Sequence, residues 1–323
     1  MIIRRTLLAA PLAAMWPAAQ VLAASFPTGP VKIVHPFPGG LVDLSARVIA
    51  DRLGTAWKQP VTVEPKPGGN ELIAGDAVAK SPRDGHTLLM CTEATFANNP
   101  VLYSKMPYDP NTDLAPVSEL YDIQFGLVVR GDFPARNFSE FLSVMKRDGS
   151  KYSYASAGAG SSLHLAMESF RKTFGFEMLH VPYKAITQVI QDILGGRIDA
   201  WFASVPFVMP FVLDGKMRVL AVTGNSRLKS APQVPTFTEL GYPNVDYRQT
   251  VGLAVPTGTP ADTIRQLQAD FRNALLSKDF VDKVATPNEL EVIGNQPQQF
   301  AEHILARRES ARKLIQGLGL RLD

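Results

Sequence analysis

SYASAGAGSSLHLAM, Ser153 to Met167, begins as an alternating strand-like run, breaks into small residues and glycines, and then takes up helical apolar spacing. A strand that hands over to a helix through glycines makes a backbone nest. The first N–H groups of the helix have no intrahelical partner, the glycines let the backbone come close, and the helix dipole favours negative charge. Such a nest does not name its anion: it could hold a cofactor phosphate, a substrate carboxylate, or nothing.

A second junction of the same kind lies upstream, where VKIVH (31–35) runs into PFPGGLVDLSAR (36–47). Either alone could be a tight turn. Two in one chain favour a ligand, because in open α/β sheets ligands sit off the carboxyl ends of the strands. Between and beyond them strand-like and helix-like stretches alternate. VTVE (61–64) precedes NELIAGDAVAK (70–80), and HTLLMC (86–91) follows. FGLVVR (125–130) precedes NFSEFLSVMKRDG (137–149), and EMLHVPY (177–183) precedes AITQVIQDILGG (185–196). IDAWFA (198–203) and MRVLAVT (217–223) complete the set. Apolar strands alternating with amphipathic helices predict the α/β class with parallel sheets covered by helices. The tail, from residue 261 to 285 and from 298 to 319, reads as helices packed on a domain surface. Pro260 suits a first helical turn, and Gly317 and Gly319 suit a stop.

The chain of 323 residues has room for two domains, and its 46% hydrophobic and 20% charged residues are ordinary for a globular protein. Residues 1–24 carry Arg4 and Arg5, an apolar stretch broken by Pro11 and Pro17, and a small-residue end. That is the pattern of a secretory signal, and it predicts export. Removing it takes two arginines from a net charge of +3, leaving about +1. A near-neutral chain lacks the basic footprint of a nucleic-acid partner. The lone Cys91 sits in an apolar run and reads as a small buried hydrophobe.

Catalytic and cofactor chemistry is poorly signalled. A dinucleotide fingerprint would need glycine at position 163, where Leu163 stands. His35, His86, His164, His180 and His303 form no metal-binding spacing. Ser161 and Ser162 lie near His164, yet no G-x-S-x-G elbow frames them. Neither a cofactor nor an enzyme is expected, and a secreted α/β hydrolase acting on a carboxylate or ester stands as the alternative.

An ordered set of motifs covers the chain from Phe26 onward: PFPGG with Asp43, KPGG (66–69), SPRDGHTLL (81–89), NNPVLYSKMPYDP (98–110) and YSYASAGAGSSLHLA (152–166). HVPYK (180–184), DILGGRID (192–199), GKMRVLAVT (215–223), VPTFTELGYP (234–243) and GLAVPTGTP (252–260) continue it. The chain thereby resembles the Bug-type periplasmic solute-binding receptors of tripartite tricarboxylate transporters. The resemblance implies a type II periplasmic-binding fold, two α/β lobes joined by crossing strands with a ligand cleft between them. It divides the chain into a signal peptide (1–24), lobe 1 (25–123 and 248–323) and lobe 2 (124–247). It also implies a small carboxylate as ligand, membrane permease subunits or a sensor kinase as partners, and a monomer.

Carried over position by position, the resemblance places Pro38, Gly39, Gly40, Leu41, Val42 and Asp43 in a first ligand loop. Thr92, Glu93, Ala94 and Thr95 form a second loop in the same lobe, and Ser156, Gly158, Ala159, Gly160 and Ser161 face them from the other lobe. Tyr183, Lys184, Ala203 and Ser204 border the cleft. The carboxylate would be gripped by backbone amides and ordered water. Several positions depart from the family pattern. Leu41 and Val42 stand where small or hydroxyl residues are usual, Glu93 where a small polar residue is, Ala203 where many members have aspartate, and Ala185 where glycine follows Tyr-Lys. Asparagine is common at Ala159. A charged Glu93 would repel a carboxylate, so it turns away, is protonated, or meets a donor on the ligand. With Phe96 and Trp201, these departures predict one carboxylate on an apolar or aromatic body, with a donor group for Glu93.

Overall fold

The computed structural model describes residues 26–245 and 247–322, so the expected signal segment 1–24 lies outside the described residues. Two sheets organise the chain. The first contains β1 (Val31–His35), β2 (Val61–Pro65), β3 (Thr87–Thr92), β4 (Leu114–Gln124), β10 (Arg248–Pro256) and β11 (Glu291–Val292), in the order β11-β4-β10-β3-β1-β2. The second contains β5 (Gly126–Arg130), β6 (Ser153–Ser156), β7 (Leu179–Pro182), β8 (Ala200–Ala203) and β9 (Met217–Val222), in the order β7-β6-β8-β5-β9. The helices are α1 (Leu41–Trp57), α2 (Leu72–Ala79), α3 (Asn99–Leu102), α4 (Phe138–Asp148), α5 (Ser162–Phe174), α6 (Ile186–Leu194), α7 (Val205–Leu213), α8 (Ala261–Leu275), α9 (Lys278–Phe280) and α10 (Pro297–Leu318). A wide π-type turn, Ala94–Asn98, leads into α3.

The sheets are mixed rather than parallel. β1 pairs parallel with β2 and β3, and β6 pairs parallel with β7 and β8, as right-handed strand–helix–strand units require. β10, however, runs antiparallel between β3 and β4, and β5 runs antiparallel between β8 and β9. The antiparallel pair β4–β10 carries the chain between the lobes: β4 leaves the first sheet at Gln124, Phe125 is buried at the crossing, and β5 starts the second sheet at Gly126.

Those two strands escape a period-based reading because their polar residues are paired by distant elements. The buried Glu119 in β4 accepts from Asn295 Nδ2 at 3.1 Å and lies 2.7 Å from His303 Nδ1 on α10. The buried Asp122 accepts from Thr250 Oγ1 on β10 at 2.7 Å. Pro116 falls where the β4–β10 register shifts, a place at which a missing N–H is tolerated. The helix α7 escapes for a related reason, because VPFVMPFVL carries prolines at 206 and 210. The first sits in the opening turn, where no N–H is needed, and the second forgoes one helical hydrogen bond.

The tail differs in detail from expectation. Pro260 is the residue before the first turn of α8, and the following stretch breaks at Ser277, whose hydroxyl caps α9. Gly319, at φ +67°, ends α10, while Gly317 lies within it. α10 serves both lobes. Phe300 packs edge-on against Phe96 at 6.1 Å in the first, and Ala311 and Ile315 pack with Leu165 of α5 in the second.

Phe300 also explains why β10 carries a glycine in mid-strand. A Cβ at Gly252 would come within 2.3 Å of the Phe300 ring. Gly252→Ala should therefore destabilise by about 1–3 kcal/mol through overpacking. In thermal unfolding, a Gly252→Ala midpoint below wild type, partly restored by adding Phe300→Leu, is the expected outcome. An unchanged midpoint would show that the ring does not press on the strand.

Candidate functional site

The carboxyl ends of the parallel strands and the first turns of α1, α5, α6 and α7 surround a cleft between the lobes with two connected compartments. The outer one, about 290 Å³, is lined by Pro36 and Phe37 from the first loop, Asn70 and Glu71, the Ala157–Gly158–Ala159 turn, and Tyr183 to Ile186. The inner one, about 60 Å³, is lined by Gly40, Leu41 and Val42, by Ile123 and Phe125 at the crossing, and by Leu163, Trp201, Ser204, Phe207 and Gln249. Phe37, Ala157 and Ile186 belong to both.

In the first loop, Gly40 caps α1 without a side-chain bond, and Leu41 and Val42 are buried against the inner compartment. Asp43 works inside the loop rather than facing the cleft. Its Oδ2 accepts from the Gly39 amide at 3.1 Å, and its Oδ1 lies 3.1 Å from His35 Nε2 and 3.0 Å from Arg47. His35, fully buried and with its pKa lowered chiefly by that burial, accepts from the Phe37 amide at Nδ1. A neutral ring, its proton on Nε2 beside Asp43, thus holds the turn through Nδ1. Gly39 is held close to Thr187 of the other lobe, a Cβ there falling 3.2 Å from the Thr187 methyl. Pro38 lies on the same turn but lines neither compartment.

The facing loop spends much of its donor capacity internally. The Gly158 amide donates to Ser156 Oγ at 3.2 Å, the Gly160 amide to His164 Nδ1 at 3.0 Å, and the Ser161 amide to the Gly158 carbonyl at 3.2 Å. Ser161 Oγ caps α5 by accepting from the His164 amide. The amides of Ala157 and Ala159 take no part in these bonds, and both residues line the outer compartment. Behind the loop, His164 and His180 stack at 4.0 Å and His180 stacks on Tyr154 at 5.0 Å. Burial lowers both imidazoles, His180 to about 4, so the stack is neutral and its ring nitrogens act as loop fasteners. Ser156 Oγ lies 2.7 Å from His180 Nε2, yet this fully buried hydroxyl also bonds the Gly158 backbone and offers no open nucleophile. Gly160, at φ +80°, faces Leu102 and Leu322 of the other lobe, each 2.6 Å from where a Cβ would stand.

The loop from Thr92 to Thr95 lines neither of the two compartments. It wraps the chain's own carboxylate: Glu71 Oε2 accepts from the Thr92 amide at 3.0 Å and Thr95 Oγ1 at 2.7 Å, and Oε1 accepts from Thr92 Oγ1. The Ala94 amide donates to Thr92 Oγ1 at 3.2 Å. Burial raises the Glu71 pKa against those bonds. Asn70 and Glu71 both sit at positive φ, +48° and +74°, a conformation that side chains rarely adopt. Asn99 holds Asn70 there with reciprocal bonds of 2.6 and 2.7 Å. Nothing in KPGGNE marks these two residues as special beyond their neighbouring glycines.

Glu93 turns away from both compartments. Its Oε2 accepts from the Thr250 amide of β10 at 3.1 Å, in a separate 130 Å³ pocket shared with Ser162, Tyr247 and Arg307. The need for a ligand donor opposite Glu93 therefore disappears. Ala203 is buried in the core of the second sheet rather than bordering the cleft, and Phe96 packs on Phe300. Tyr183 lines the outer compartment while its hydroxyl donates to Asp192 at 2.7 Å, and Lys184 is exposed at that compartment's wall. Trp201 and Ser204 line the inner compartment. Ile186, Phe207, Phe125 and Gln249 join them without any motif that announces it.

The family model described as the tripartite tricarboxylate transporter family receptor matches residues 45–320. Protein BugT of Bordetella pertussis is 33% identical, covering 87% of this chain and 87% of its own. Among solved structures, Rpa4515 of R. palustris with adipate is 30% identical at a TM-score of 0.86, covering 92% of this chain and 99% of its own. MatC from Rhodopseudomonas palustris with bound malate is 26% identical at a TM-score of 0.84, covering 90% of this chain and all of its own.

Burial pushes the Glu93 carboxyl from 4.5 up to about 7, with Arg307 opposing the rise. Between those two values the folded protein holds a proton that the unfolded chain has released. Stability from this group is therefore complete below about 4.5 and is lost as pH climbs through about 7. Wild type should lose thermal stability relative to Glu93→Gln over that window. Parallel pH profiles of the two proteins would remove this assignment of Glu93.

Proposed function

Because this chain belongs to the tripartite tricarboxylate transporter receptor family, we propose that it captures a small carboxylate with an apolar body between its lobes. The observation that carries the ligand class is that Ala157 and Ala159, whose amides take no part in the loop's internal bonds, line the outer compartment together with Lys184. The Lys184 ammonium and these amides supply donors for a carboxylate, on a wall that Asn70 and Glu71 also line. The relatives solved with adipate and with malate, both dicarboxylates, support a carboxylate ligand without setting its number of charges. Phe37, Ala157 and Ile186 then lead the rest of the molecule into an inner compartment walled by Leu41, Val42, Phe125 and Trp201. The wall carries no lysine or arginine there, which argues against a second charge.

In this reading the exported protein works in the periplasm as a monomer. An open form takes the ligand on one lobe, the other lobe closes, and the closed face is what permease subunits or a sensor kinase recognise. Water leaves on closure, so the amide bonds strengthen as the lobes meet. The hydrolase alternative lacks support, since Ser156 is committed to the backbone and to a neutral imidazole and Ser161 to the cap of α5.

A thermal-shift panel tests the ligand class. Monocarboxylates with aliphatic or aromatic bodies should raise the unfolding midpoint more than citrate does. Lys184→Ala should weaken their binding by about two- to five-fold, as expected for an exposed ion pair. Strong stabilisation by citrate alone would overturn the assignment.

A further inference from the structure

The inner compartment contains two donors without an acceptor. Trp201 is 2% exposed and Ser204 9%, both line this compartment, and neither Trp201 Nε1 nor Ser204 Oγ has a hydrogen-bond partner. Buried polar groups in native proteins are nearly always paired, and an unpaired one costs as much as a lost hydrogen bond. An indole N–H can only donate, so what it lacks is an acceptor.

Ser204 adds a second argument. It is the N-cap of the nine-residue α7, the position from which a serine hydroxyl ordinarily accepts from an amide of the first turn. Here the cap bond is not made, and Pro206 withholds one of the amides that could have made it. The hydroxyl is buried without a partner at the positive end of a helix dipole. Around both donors the walls are Leu41, Val42, Ile123, Phe125, Leu163 and Phe207, with the amide of Gln249 beside them.

We infer that this compartment is a subsite for an uncharged oxygen acceptor, a carbonyl or ether oxygen at the far end of the ligand, received by Trp201 Nε1 and Ser204 Oγ. The ligand class becomes an oxo- or alkoxy-monocarboxylate rather than a dicarboxylate. Apolar walls without a cation would leave a second carboxylate poorly compensated. The volume of about 60 Å³ admits a small acyl group but little more. This inference rests on the reading of the outer compartment as the carboxylate site.

Three acids of one length separate the possibilities: valerate, levulinate and glutarate, which end in a methyl group, a ketone and a second carboxylate. A parallel set with one more methylene controls for reach. Calorimetric titration of the intact mature protein should give levulinate, or its longer homologue, about tenfold tighter binding than the matched alkanoate, and tighter than the matched diacid. Ser204→Ala should cut that preference to about three-fold. Trp201→Phe, checked for an intact melting transition, should do the same. Equal affinity for keto and alkyl acids in wild type, or a diacid as the tightest binder in both sets, overturns the subsite. Equal loss for keto and alkyl acids in Ser204→Ala also overturns it. No binding by any acid removes the carboxylate reading itself, an outcome distinct from binding without keto preference.

Discussion

The antiparallel ladder between β4 and β10 is the constraint on which the rest depends. Each strand begins or ends at the lobe boundary, and β4 continues through Phe125 into β5. Because the ladder lies between β3 and β11, both lobes are positioned by strands whose own place is fixed inside a packed sheet. Its buried carboxylates, Glu119 and Asp122, are satisfied by Asn295, His303 and Thr250, so the sequence-distant tail helps to fix the crossing. Removing one such partner would leave a buried acceptor unmet, which is costly in a low-dielectric interior.

The alternating units were legible because each strand–helix pair carries its own period. The runs at 31–35, 86–91 and 217–223 fall on β1, β3 and β9 within a residue or so. The crossing strands were not legible, since LAPVSELYDIQ mixes proline and acids with apolar residues and makes sense only beside Asn295 and Thr250. The resemblance to a known family implied such strands and set the lobe boundaries at 123/124 and 247/248 without tracing the strands themselves. It likewise marked the two cleft loops, while the division of labour inside them depends on where single hydrogen bonds go. Gly160 looked like a ligand amide until His164 Nδ1 accepted it, and Thr92 and Thr95 looked like ligand residues until Glu71 filled their loop. Side-chain partners separated by a handful of residues leave no periodic trace.

A common device runs through these loops: acceptors from within the chain saturate most donors and leave a few. His35 and Asp43 fix the first loop, His164 and His180 the second, and Glu71 the third. The imidazoles do this as neutral rings, their protonation disfavoured by burial. A loop held that way presents its remaining amides at fixed positions before any ligand arrives. Ordering cost that would otherwise fall on binding has been met during folding.

The C-terminal helix α10 gives this arrangement a mechanical property. Phe300 roots it against β10 in one lobe, while Ala311 and Ile315 meet Leu165 and Gly317 accepts from Lys172 in the other. A lobe rotation that widens the cleft must shear this apolar seam, because packed side chains switch between discrete arrangements rather than stretch. Under the proposed closure the helix would act as a detent on the hinge, a surface outside the cleft that resists the rotation of the lobes. Affinity in such a molecule can be adjusted by residues that never approach the ligand, through the population of the angle at which the cleft is complete.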